Sequence, residues 1–90
     1  MQVKLRKEAQ KFLKKLDKPT RDRVLERIGQ LRSSLIAQEI PQGLDIKALQ
    51  GNWQGFSRLR VGQIRVIYRI EAGDVEILFI YDINYRGSVY

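Results

Sequence analysis

The sequence predicts an α+β domain in which a helical hairpin packs on one face of a small, mainly antiparallel sheet. Three observations point there. The N-terminal part repeats its apolar residues at helical spacing, and the C-terminal part alternates at the two-residue period of strands. The third is length: 90 residues make one domain, residues 1–90, since domains typically run to ~100–150 residues. The expected element order is strand, helix, helix, then three strands, one layer of helices on one layer of sheet.

Gln2 to Leu5 read as a short first strand, with Val3 and Leu5 on one side. In the following KEAQKFLKKL, Leu5, Ala9, Phe12, Leu13 and Leu16 fall at helical intervals and lysines take the other faces. Asp17 to Thr20 breaks that pattern, and a second helix starts near Pro19 or Thr20, with Pro in the first turn and Asp22 near the positive terminus. Val24, Ile28, Leu31 and Leu35 form its stripe, which ends between Ser33 and Ile36. A short turn between two such helices makes an antiparallel hairpin. Ala37 to Ile46, with Pro41 and Gly43, reads as loop, and Asn52 to Gly55 as a turn. Three strands follow: Phe56 to Val61, Ile64 to Glu71 across Gly62-Gln63, and Val75 to Ile83 after Ala72-Gly73-Asp74. Their Val, Ile, Tyr and Phe suit a half-buried sheet.

Alternation assigns the faces. Leu59, Val61, Ile64, Val66 and Tyr68 belong under the helices, while Arg58, Arg60, Arg65 and Arg69 share the open side with Ile67. From Phe56 to Ile70 there is no acidic residue. The plainest reading of such a face is a solvated one, its arginines paired with Glu71, Glu76 or Asp82. The alternative is a surface that holds phosphate. Guanidinium fits phosphate with a planar fork, and like charges across strands cost stability unless a ligand offsets them.

Composition narrows the classes of function. Lysine and arginine number 17 against 10 acids, a formal charge of +7, which favours an anionic partner. With no cysteine there is no disulfide framework and no thiolate metal site. With no histidine the commonest general base and metal ligand is absent. A chain this size buries somewhat over ~60% of its unfolded surface, enough for a modest core but not for a deep cofactor cavity. No metal and no small-molecule cofactor is expected. No apolar run approaches the ~18 residues of a membrane span, so the expectation is a soluble, cytoplasmic domain with no membrane partner. The lysines of the first helix (Lys7, Lys11, Lys14, Lys15) widen the positive field. Trp53 is either a loop anchor or a stacking contact. Tyr85, Arg86 and Tyr90 close the chain with phenols beside a guanidinium, which suits unstacked RNA bases or, alternatively, packing over a sheet edge.

Three segments carry a family resemblance: Leu49 to Gly51, then Arg58-x-Arg60-x-Gly62-x-x-Arg65-x-x-Tyr68, then Tyr85-Arg86-x-x-x-Tyr90. With the helical hairpin, the whole chain resembles the RelE/ParE superfamily of type II toxins. The resemblance implies the compact RelE-like fold. Its RelE branch consists of ribosome-dependent endoribonucleases that cut mRNA (mRNA interferases), and its ParE branch poisons DNA gyrase. Arg58, Arg65, Arg86 and Tyr90 look like the RelE site, with Arg60, Lys47, Arg69 and Tyr85 as RNA contacts. The implied partners are the ribosome with its mRNA and an acidic, RelB-like antitoxin. A gyrase poison and an RNA-binding domain without chemistry are the alternatives.

RNA cleavage by 2′-OH attack needs a proton acceptor, a donor to the leaving 5′ oxygen, and cations for the charge on phosphorus. Arginine suits the last task and not the first. Arg65 and Arg58 are therefore assigned to the scissile phosphate, and Tyr90 to the 2′-OH or the base. Arg86 becomes a second phosphate ligand or the proton donor. Tyr90 and Lys47 remain the two candidates for the base, since a crowd of guanidiniums lowers the pKa of either.

Overall fold

A computed structural model describes residues 1–85. Its elements are β1 (Gln2–Leu5), α1 (Lys7–Lys15), α2 (Lys18–Ala37), β2 (Asp45–Ala48), a single 3-10 turn (Gly51–Trp53), β3 (Ser57–Val61), β4 (Ile64–Glu71) and β5 (Ile77–Tyr85). The strands form one five-stranded sheet in the order β1-β5-β4-β3-β2. All neighbours pair antiparallel except β1, which runs parallel to β5. The expected α+β class and face assignment are both present.

Each helix forms for a local reason and is held by one face. In α1, Ala9 and Leu13 are buried and the lysines point to water. α2 starts where the Asp17 side chain accepts a hydrogen bond from the Thr20 amide at 3.3 Å, with Pro19 in the first turn. Bonding to Thr20 holds the Asp17 carboxyl below its usual pKa. This cap accounts for the break in the apolar pattern at Asp17. α2 ends at Gln38, whose φ of 54° is left-handed and stops the helix. Val24, Ile28 and Leu31 face the core, as their spacing predicts.

β3 and β4 meet across Gly62-Gln63, with Val61 opposite Ile64. Gly62 has φ +60°, which a two-residue hairpin requires at its first central position when the turn is of type II′. The core lies between this sheet and the helices. Leu59, Val61, Ile64, Val66, Tyr68, Leu78, Ile80 and Ile83 meet Ala9, Leu13, Leu16, Val24, Ile28 and Leu31 there.

Two elements differ from expectation. Asp45–Ala48, whose first two residues fall in the loop expected from Ala37 to Ile46 and whose last two belong to no expected strand, is an edge strand paired with β3, Ile46 opposite Leu59. Four residues with one apolar group on the core side show too little alternation to be recognised. β5 begins and ends two residues later than Val75 to Ile83. The pairing of Ile64 with Tyr85 extends it, and a bulge resets its phase where Ile67 faces Asp82 but Tyr68 faces Ile80.

Burial pushes the Tyr68 phenol above its usual pKa, while a hydrogen bond with the Ser57 hydroxyl pulls the other way. The folded state thus holds this proton more tightly than the unfolded chain does. Its contribution to stability is full below the unfolded value of ~10 and is lost as pH rises through the higher folded value. Urea unfolding of wild type and Tyr68→Phe should therefore differ by a constant amount up to about pH 10. Above it, wild type should lose stability more steeply than the variant. A parallel fall of both proteins there would show that Tyr68 does not contribute.

Candidate functional site

The sheet face away from the helices is built in rows, because cross-strand neighbours point the same way. One row reads Asp45, Arg60, Arg65, Asn84 from β2 to β5. The next reads Lys47, Arg58, Ile67, Asp82. Arg69 opposes Phe79 one step further along β4 and β5. Arg58, Arg60 and Arg65 thus share a patch, as the alternation predicts; β2 adds Lys47 to it, and its floor is Ile67, fully buried.

The face is not free of acid, as Phe56 to Ile70 suggested. β2 brings Asp45 to 3.4 Å from Arg58 and 3.7 Å from Arg60. Arg58 is withdrawn from solvent, with 8% of its surface exposed. This carboxylate escapes a reading of the sequence because its edge strand does. Arg69 forms a 2.6 Å pair with Glu71, the partner the plain reading named, and its guanidinium lies over the Phe56 and Phe79 rings at 5.2 and 5.0 Å. Asp82 instead accepts from the Asn84 amide at 3.1 Å.

Arg60 and Arg65 are direct cross-strand partners. Two like charges in register disfavour each other, and Asp45 pairs with the first of them. In the same row, Arg60 Nε and Asn84 Oδ1 are buried and have no hydrogen-bond partner among the described residues. Opposed guanidiniums with one unmet donor suit an anion, while the unmet Asn84 oxygen calls for a hydroxyl or N–H donor.

Other candidates fall elsewhere. Tyr85 stands on the helical side, its ring edge-on to Phe12 at 5.2 Å, so it does not join the arginine patch. The β5 bulge sets this, because it shifts the alternation of everything after Tyr81. Arg86 and Tyr90 lie outside the described residues. Trp53 anchors its loop, packing edge-on to Phe56 at 5.3 Å and to Tyr81 at 5.4 Å. Arg6 lies 4.1 Å over the Tyr81 ring and donates from Nε to the Tyr81 carbonyl at 2.7 Å. Among the described residues no group of His, Cys, Asp and Glu could hold a metal ion, and no helix is long and apolar enough to cross a membrane.

A small α+β domain with two helices on a five-stranded mixed sheet is the architecture of RelE-like toxins. The chain belongs to the ParE toxin family of type II toxin–antitoxin systems (parDE), whose model matches residues 3–90. It is similar to the toxin in the archaeal RelE–RelB complex from Pyrococcus horikoshii OT3, with 28% identity, a TM-score of 0.74, and coverage of 98% of this chain and 97% of that one. The RelBE2 toxin–antitoxin complex of Mycobacterium tuberculosis matches at 23% identity and a TM-score of 0.72, covering 94% and 96%. A YoeB/ParE toxin from Agrobacterium tumefaciens matches at 19% and 0.68, covering 96% and 99%. No curated protein matches the sequence.

Proposed function

We propose that this type II toxin is a ribosome-dependent endoribonuclease that cleaves translated mRNA by 2′-OH attack. The observation that carries the reading is the row of Arg60 and Arg65, like charges opposed on a rigid sheet beside Arg58 and Lys47. An anion laid along such a row offsets the repulsion between its like charges. The 28% identity to an archaeal RelE supports the ribonuclease branch.

In this reading the 2′-OH gives its proton to a base, Tyr90 or Lys47, and its oxygen attacks phosphorus. A cyclic phosphate forms as the bond to the 5′ oxygen breaks, and that oxygen leaves with a proton from Arg86 or a ribosomal group. Arg65 offsets the charge that builds on the phosphoryl oxygens. Arg58, held by Asp45, adds to the field from beneath, and Arg60 and Lys47 hold the flanking strand. Arg86 and Tyr90 keep the roles that the family resemblance implies, as second phosphate ligand or proton donor and as contact to the 2′-OH. Arg69 and Tyr85 are left out of the RNA contacts, the first occupied by Glu71 and the second on the other face. With no histidine in the chain, the isolated protein is a poor catalyst, and ribosomal groups complete it. The inhibitor is an acidic antitoxin segment that folds on the cationic surface. Co-expression with such a neighbour should relieve toxicity, and undiminished toxicity beside a bound neighbour would refute it.

Mapping breaks in translated mRNA after brief expression tests the activity. Cuts within reading frames are expected, and intact mRNA would reject it. The second reading, a gyrase poison, is favoured by the ParE family match. It requires gyrase-dependent DNA breaks in place of mRNA cuts. Phosphate contact has its own test. If about four arginines touch phosphate, binding of single-stranded RNA should weaken with a log–log salt slope near ~−3, at ~0.7 per contact. A flat response would exclude a phosphate-holding face.

A further inference from the structure

A second cationic feature lies at the end of the sheet, around the edge from the arginine rows. Arg23 and Arg27 of α2, Gly43 and Leu44 before β2, Asp45, and Arg60 to Gly62 line a cavity of about 190 Å³. At ~30 Å³ per water that is space for about six waters, enough for one tetrahedral anion. Three arginines and one aspartate line it, and that carboxylate pairs with Arg60 at 3.7 Å and with Arg58 at 3.4 Å.

Among the described residues the cavity's cations are poorly matched. Arg23 has no carboxylate at ion-pair distance among the described residues and acts on Asp17 only through its field. Among the described residues Arg27 donates to the neutral Gln30 amide oxygen, at 3.4 Å, and pairs with no carboxylate. Arg60 lines the cavity too and shares the Asp45 carboxylate with Arg58. Gly62 lies beside Arg23, close enough that a Cβ there would touch Nη2 at 3.5 Å, an ordinary contact. Arg60 also faces Arg65 across the β3–β4 ladder, so one residue belongs both to the cavity lining and to the arginine rows.

We propose that this cavity is a phosphate subsite, in which Arg23, Arg27 and Arg60 hold a backbone phosphodiester of the same single-stranded RNA that lies across Arg65. The assignment rests on the reading of the face as an RNA site and extends it to α2. A cavity of this size fits one phosphate, and guanidiniums bind such an oxyanion through paired N–H donors. The consequence is a strand path that leaves the sheet at Arg60 and turns down toward α2, so flanking nucleotides on one side of the cut contribute to affinity.

The probe is a short single-stranded RNA methylated at every 2′ oxygen, so that no cleavage can run, followed by fluorescence anisotropy over a range of salt. Arg23→Gln/Arg27→Gln should bind it roughly tenfold more weakly, with a log–log salt slope shallower by ~0.7, one phosphate. Lys14→Gln/Arg21→Gln removes the same charge from positions outside the cavity and should leave the slope unchanged. Equal binding by wild type and Arg23→Gln/Arg27→Gln would overturn the proposal, as would an equal loss of slope in the control pair, which would mean a diffuse field. Inorganic phosphate supplies the other arm. If it shifts the α2 amide resonances and the RNA does not displace it, the cavity takes a free anion and the RNA assignment falls. Competition between phosphate and RNA for those resonances supports it. The slope change supports the subsite whether or not wild type cuts translated mRNA, which separates its fate from that of the proposed activity.

Discussion

Arg65→Ala should abolish cleavage of translated mRNA while leaving the protein folded. The side chain stands mid-strand on β4, and backbone pairing to β3 and β5 fixes its direction. Its interaction with the scissile phosphate strengthens as negative charge builds, so its loss falls on the transition state. By comparison with deletion of an oxyanion donor the cost is ~3–4 kcal/mol, or about 10²–10³ in rate. Lys in its place should recover only part, because an ammonium keeps the charge and loses the fork. Single-turnover cleavage on programmed ribosomes measures this, with circular dichroism confirming the fold. Cleavage undiminished in Arg65→Ala would remove Arg65 from the site.

The largest effect on stability is expected at Leu59. It is fully buried on β3, with Val66 opposite it on β4 and Ile46 on β2. Leu59→Ala removes that contact and leaves a cavity that the sheet cannot close, at a cost of about 2–5 kcal/mol. A domain of this size has only ~5–13 kcal/mol in total, taking ~0.05–0.15 per residue. The melting temperature should fall by at least ~10 °C, whereas Arg65→Ala should move it by only a few degrees. Measured per folded molecule, cleavage by Leu59→Ala should stay near wild type, because Leu59 points to the helices and the arginines point away. A change of less than ~1 kcal/mol would mean that the core repacks around the gap.

The contrast between these two positions shows why so much of the chain is readable. Leu59 and Arg60 are adjacent in sequence and sit on opposite faces, and the two-residue period of a strand is enough to separate them. The helical period likewise yields the stripe of Val24, Ile28 and Leu31, and Gly62-Gln63 yields the hairpin turn. These signals are local. Each depends on a few consecutive residues whose backbone geometry their own side chains prefer.

Residue pattern alone settles the α+β class, the face taken by each strand residue from Leu59 to Ile70, and the gathering of Arg58, Arg60 and Arg65 on the open side. Which charges meet is a matter of tertiary packing. Asp45 reaches Arg58 and Arg60 because β2 pairs at the sheet edge, 13 residues before Arg58 in the chain. Tyr85 turns toward Phe12 because a bulge near Tyr81 shifts the phase of β5. Arg23 and Arg27 come to Arg60 because the first turns of α2 lie beside the β3–β4 hairpin. The physical reason is the same in all three cases. Local preference sets the period of an element, but its register and its neighbours are fixed by long-range pairing and packing, which no short run of residues encodes.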